Sequence, residues 1–390
     1  MKKTPKVSIF TKIPSGVICL VLITALFCYM GSKMGAANML NTIMKTAHDL
    51  LLNTCFYLMA ICVITGAIGK LFVEFGVVDM LEKLLRPLMR PLFNLPGVAS
   101  LGAVLTFLSD NPAIITLSKD KRFASYFKKY QFISLTNFGT AFGMGLIVII
   151  FMIGQGFFIE PLIGLFGAFC GCIVSTRLMQ RFIIKKYPNF AEESAVVNPE
   201  AREGQRALAA QVEHQEENGI FLRTLNALLD GGRSGVDIGI AIIPGVLIIS
   251  TAVMMLTNGP AGPDGTFAGK AYEGVGLLPA LADKVDFLFH WLFGFTDSRL
   301  IAFPITALGA VGAALGLVPN FSAQGILDGN AVAVFTAMGM CWSGFLSTHT
   351  AMLDSLKYRR LITQAIGAHA IGGLVAGIFA HWLFVLISLI

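Results

Sequence analysis

The chain has 390 residues, 55% of them hydrophobic and 13% charged, with a net charge of +6. Its mean hydropathy is +0.73, and soluble domains carry about 25% charged residues. That balance excludes a water-soluble globular domain and points to an all-α polytopic membrane protein. The 41 glycines suit helices whose backbones approach closely in lipid.

Lys2, Lys3, Lys6 and Lys12 precede an apolar run over 17–30. The run exceeds the roughly 7–15 residues of a signal-peptide core, and more spans follow. It reads as a first transmembrane helix rather than a cleaved signal. Spans near the roughly 20 residues that cross a bilayer are expected at 15–31, 50–69, 131–154, 157–184, 236–257, 300–318 and 361–390. That makes about seven transmembrane helices.

Three further segments differ from these. Over 75–93, Leu81, Leu84, Leu85 and Leu88 recur at helical spacing, with Asp79, Glu82, Lys83, Arg86 and Arg90 between them. Such a helix lies along a membrane surface. Residues 95–118 are apolar at both ends and polar at Ser109, Asp110, Asn111 and Pro112. Pro112 cannot donate a backbone hydrogen bond and pushes its predecessor out of helical geometry. Neither arm is long enough to cross, so the segment predicts a re-entrant hairpin. Residues 330–356 read the same way, with a polar tip at Ser347, Thr348, His349 and Thr350.

The expected organisation is an N-terminal helix and loop (1–47), a first membrane repeat (48–184), a polar cytoplasmic linker (185–234) and a second membrane repeat (235–390). The repeat rests on an ungapped match of Phe107–Ala113 with Phe345–Ala351, followed by Lys119 with Lys357 and Arg122 with Arg360. Paired, interrupted apolar segments at matching places mark the binding sites of secondary transporters. Positive clusters at 2–12, 70–90, 119–129 and 177–186 put the N-terminus in the cytoplasm. The same charge rule favours parallel repeats. Inverted repeats need one span fewer or more, as when 300–318 is itself re-entrant, and both topologies stay open at this stage.

Ionisable groups inside apolar segments default to function. Asp110 is the sharpest, able to hold a cation, a proton or a hydrogen-bonding substrate. Beside it stand Ser109 and Asn111. Asn137 and Thr140 share one face of the next helix, and His349 brings a protonatable ring. Asp297 with Arg299 reads as an interfacial cap and anchor, and Asp328 with Asn330 as an N-cap pair. The cysteines, Cys170 and Cys172 included, lack the second ligand pair of a zinc site and read as packed thiols. No phosphate-binding loop, metalloprotease motif or nucleophilic triad is present. The net charge belongs to anchoring loops, so nucleic acid is not an expected partner.

The stretch from about Asn53 to Met152, with Ser109-Asp110-Asn111-Pro112-Ala113, a basic turn and the helix from Thr136 to Gly145, resembles the nucleoside-recognition or Gate domain family. That family groups parts of concentrative nucleoside transporters, ferrous-iron transporter cores and spore maturation membrane proteins. The resemblance implies paired hairpins related by an inverted repeat, with tips at Ser109–Pro112 and Ser347–Thr350. The Gln-Ser/Thr-Glu type tip of nucleoside transporters is here Ser-Asp-Asn, which departs from nucleoside chemistry. The chain opens on membrane helices rather than a GTPase domain, so iron transport of the usual kind is not expected.

The resulting expectation is a non-enzymatic permease of the cell membrane. It would carry a nucleoside-like or other small polar solute or ion through a midplane site. No cofactor is expected beyond a coupling Na+ or H+, and partners are the bilayer, the solute and further copies in a homo-oligomer. The alternative is a non-transporting scaffold or sensor similar to spore maturation proteins.

Overall fold

The computed structural model describes residues 14–109, 112–195 and 219–389. Among them, seven helical segments are long and apolar enough to cross a bilayer: Ser15–Met34, Ala36–Glu74, Lys129–Gly154, Glu160–Lys186, Ile220–Thr257, Gly329–Ser355 and Arg359–Ser388. The chain is an all-helical polytopic membrane protein. The number of spans is the expected one, but one member differs.

Residues 300–318 were expected to cross and do not form one helix. They fold as Ala302–Ala307 and Val311–Leu315, which pack on one another. Ala310 between them is extended, at φ −163° and ψ 127°. In its place, Gly329–Ser355 forms a span. Its polar cluster does not break the helix, because a hydroxyl can bond a carbonyl one turn back. Ser347 Oγ donates to the Gly344 carbonyl at 3.4 Å and Thr350 Oγ1 to that of Leu346 at 2.9 Å. The break falls earlier, between Cys341 and Phe345, where Gly344 has φ +65°. The tip expected at Ser347–Thr350 is therefore the body of the helix Phe345–Ser355.

In the first segment, two short helices flank the polar stretch, as the sequence predicts. Ala99–Leu108 stops at Ser109 (φ −125°, ψ −104°), and a second arm starts at Pro112, a favoured first helical position. The arms pack antiparallel: a Cβ at Gly102 would strike the Ile114 side chain, with Leu117 beside it. Both arms lie against Lys129–Thr140, which breaks at 141–144 and resumes as Gly145–Gly154. Met144 closes that break in the left-handed region, at φ +56°, a strained place for a side chain of its size.

Two halves therefore share one order: helix pair, broken helix, long helix. An offset of 200 residues carries Lys129 to Gly329, and Met144 to Gly344. It also superposes Thr106 on Thr306, Thr136 on Thr336, Gly139 on Gly339 and Met152 on Met352. The register matching Phe107 to Phe345 is replaced by this one, in which Phe345 corresponds to Gly145.

The halves are inverted. The two long helices, Glu160–Lys186 and Ile362–Ser388, cross at glycine: a Cβ on Gly171 would meet the Gly372 carbonyl, and one on Gly167 would meet Ala376 and Ala380. Numbers fall along one helix as they rise along the other, so counterpart helices run antiparallel. Two spans lie between the broken helices, an even number, which agrees with this. Small residues at helical spacing let the backbones meet where water offers no driving force. A second tight pair, Phe56–Glu74 with Ile220–Gly245, meets through Gly66, Gly231, Gly235 and Gly239.

Candidate functional site

The two broken helices touch at their breaks. Ser343 Oγ donates to the Thr140 carbonyl at 3.2 Å. Around this crossing lie two cavities. The larger, about 340 Å³, is bounded by the turn of the second helix pair (Gly309 to Ala313) and by Met144 and Gly344 from the two breaks. Ser347, Thr348 and Ala351 also line it, as does Ile238 of the helix Ile220–Gly245. The smaller, about 190 Å³, lies at the turn of the first pair, against Ser109, Thr65 and Lys70, and also reaches Ile238. The second pair's turn and both breaks thus meet at the larger cavity, and the first arm ends at Ser109 beside the smaller.

The sequence candidates divide into three groups. Ser347 and Thr348 line the larger cavity and Ser109 the smaller. Ser109 Oγ donates to the Leu105 carbonyl at 2.6 Å, which ends its helix. Asp110 and Asn111 lie outside the described residues.

Asn137, Thr140 and His349 are fully buried and line neither cavity. They belong to a polar cluster between the broken and long helices. Asn137 Nδ2 donates to Ser175 Oγ at 3.0 Å and to the Ala365 carbonyl at 2.9 Å. Ser175 Oγ meets His369 Nδ1 at 2.8 Å, and His369 Nε2 meets the Cys341 carbonyl. A carbonyl only accepts, so Nε2 of His369 carries the proton and Nδ1 accepts from Ser175. His349 Nδ1 donates to the Phe345 carbonyl at 2.5 Å, and its ring lies 4.6 Å from that of His369. Two atoms of this cluster, Asn137 Oδ1 and His349 Nε2, are buried without a hydrogen-bond partner. Such groups cost about 1–3 kcal/mol each. Both are open acceptors in this arrangement, suited to a donor or a cation.

Thr350 is half-buried and is brought to neither cavity. Thr140 spends its hydroxyl on the Thr136 carbonyl at 2.6 Å, so its contribution to the crossing is its backbone oxygen.

Sequence reasoning missed the second turn, Gly309 to Gly312, and the break at Met144. The available signals were Pro304 and the close glycines 309, 312 and 316 inside an apolar run.

Residues 55–156 match the family model for Gate, described as nucleoside recognition. Over those residues the chain is similar to the Gate, nucleoside-recognition domain. The domain takes in the amphipathic helix Val77–Leu88, the first helix pair and the first broken helix. An uncharacterized protein of Alkalihalophilus pseudofirmus is 25% identical over 203 residues, 50% of this chain; the match spans 42% of that relative's length. The solved structure of CNTnw, inward-facing and substrate-bound, is similar over 96% of this chain and 87% of its own, with a TM-score of 0.55 and 12% identity. The chain thus shares the fold of CNTnw over nearly its whole length.

Proposed function

We propose that this chain is a secondary transporter for a small polar solute, nucleoside-like in size and hydrogen bonding. The observation that carries the reading is the meeting of the second pair's turn and both helix breaks at one cavity of about 340 Å³, with the first arm ending at Ser109 beside a second of about 190 Å³. Non-helical backbone at membrane depth survives only where it is buried in protein or lines a wet cavity. Discontinuous helices at a repeat interface are the usual place for transported solutes and ions.

In this reading both helix pairs are re-entrant, and their turns close the site from opposite sides. Ser347 and Thr348 supply hydroxyls from the second half. Asp110 and Asn111, on the link between Ser109 and Pro112, supply a carboxylate and an amide from the first. The coupling ion is Na+ or H+. The open Asn137 Oδ1 and His349 Nε2 support a cation-dependent step in the adjoining cluster. The positive clusters put the N-terminus in the cytoplasm, and the chemistry needs no enzymatic group.

The test is uptake of radiolabelled uridine, adenosine and a panel of small organic acids into proteoliposomes, under an imposed Na+ or proton gradient. A solute taken up by the wild-type protein, and lost in both Asp110→Ala and Thr348→Val, supports the site. Uptake indifferent to changes on both sides would sink it. Absence of uptake and of thermal-shift binding across the panel would favour the scaffold reading.

A further inference from the structure

We infer that the amphipathic helix Val77–Leu88 holds one anionic phospholipid, with its headgroup and one acyl chain on opposite flanks of the same turn. This inference does not rest on the transport reading.

The headgroup side is basic. Lys83, Arg86 and Arg90 are exposed and fall on one face of the helix and its continuation Met89–Phe93. Arg86 and Arg90 line a pocket of about 490 Å³, closed by Tyr126 and by the turn at Pro96 and Gly97. Arg86 directs Nε and Nη2 to the carboxylate of Glu82, at 3.0 and 3.1 Å, which leaves Nη1 for a second anion. Arg90 makes no side-chain hydrogen bond or ion pair among the described residues.

The chain side is apolar. A cleft of about 460 Å³, comparable with the volume of one fatty-acyl chain, opens beside Leu81, Leu85 and Leu88 and runs against Phe107, Phe142 and Phe166. Every side chain lining it is a hydrocarbon or a thioether. Leu88 and Met89 face this cleft, while Arg86 and Arg90 face the basic pocket. Less than one turn of helix therefore separates a pocket suited to a phosphate from a slot suited to an acyl chain. Basic pockets between helices at a membrane surface select anionic headgroups. A free phosphate would leave the apolar cleft uncovered, and a neutral lipid would leave Arg90 without an anion.

The site is also placed to matter. Glu82, buried beneath Arg86, accepts a hydrogen bond from Ser100 Oγ at 3.1 Å. Ser100 opens the first arm of the first helix pair, so a bound lipid braces the base of that pair.

The experiment uses the full chain, delipidated in mild detergent, with native mass spectrometry reading bound lipid against added phosphatidylglycerol or phosphatidylcholine. One phosphatidylglycerol is expected to bind, and Lys83→Ala/Arg90→Ala is expected to weaken it about 25-fold, roughly fivefold per cation. Both residues are exposed and bear no structural bond, so the variant keeps its fold. Arg86 is left intact because its loss would strand the Glu82 carboxylate. Leu88→Trp, which fills the cleft, and a short-chain phosphatidylglycerol should each reduce binding, whereas Lys284→Ala, at an exposed cation of the turn Asp283–Val285, should not. Equal binding of phosphatidylcholine, unchanged binding in the double variant, or equal competition by inorganic phosphate would each overturn the inference.

Discussion

The two halves of the membrane core share an architecture and divide the chemistry between them. The turn of the first helix pair reads Ser-Asp-Asn-Pro, and its counterpart 200 residues on reads Gly309-Ala310-Val311-Gly312. The lower arms of the broken helices show the opposite bias. Gly145–Gly154 is wholly apolar, while Phe345–Ser355 carries Ser347, Thr348, His349 and Thr350. Each half thus contributes polar groups where the other has none. Symmetry is kept in what sets helix approach, the glycines and threonines. It is abandoned at the turns and in the arms beyond the breaks, where the cavities lie.

The largest effect should come from unequal turns. Asp110→Ala is expected to lower uptake about 100-fold, whereas Val311→Ala should change it by less than about threefold, as proteoliposome flux will read. The first figure corresponds to losing one charged hydrogen bond to the solute, of about 3 kcal/mol, whereas the Val311 side chain has no polar atom to offer. Equal losses at the two turns would break the asymmetry.

Helix approach gives the next test. A side chain at Gly372 has no room, since even its Cβ would strike Ser175 and the Gly171 carbonyl; at Gly367 nothing lies within 4 Å. Gly372→Leu is expected to cost at least about 3 kcal/mol and Gly367→Leu little. Thermal unfolding in detergent checks both, and a tolerated Gly372→Leu would deny the close crossing.

Asn137 has no polar counterpart in the second half, where Ala337 stands at the matching place. Asn137→Leu removes the hydrogen bonds to Ser175 Oγ and the Ala365 carbonyl and should cost about 1–3 kcal/mol. Ala337→Ser should be near neutral by the same measurement, and a larger effect there would show that the halves share the cluster.

The smallest effect lies at the entrance to the second half. The Arg299 guanidinium, hydrogen-bonded to Asp297, holds that carboxyl below its ordinary range. A lowered folded value means the pair stabilises the protein fully above the unfolded value, near 3.8, and loses that contribution as pH falls through the folded one. Asp297→Asn should therefore flatten the acid limb of the stability profile, by less than about 1 kcal/mol because the pair is partly exposed. An unchanged limb would remove the anchor role.

Much of this was legible along the chain. Charge-free runs of bilayer length give the membrane class, since hydrocarbon excludes unsatisfied polar groups whatever the tertiary fold. Ser109 with Pro112 forecasts a helix break from local chemistry alone, and Asp297 and Asp328 cap helices as their positions suggest. Hydropathy failed at 300–318 and 329–355, for one reason. It reports apolarity, not whether one helix runs through. Pro304 and closely spaced glycines interrupt an apolar run, while hydroxyls bonded one turn back let a polar run continue.

What the sequence by itself determined is therefore a helical membrane protein with a polar interruption near Asp110 and a duplicated plan. The tertiary structure alone decided the register and hand of that duplication. Those depend on which glycines meet across helices distant in sequence, as Gly171 meets Gly372. It also decided that Ser347 and Thr348 line a cavity while His349, one residue further, is sealed against His369. A helix turns about 100° per residue, and only packing determines which of its faces is left open.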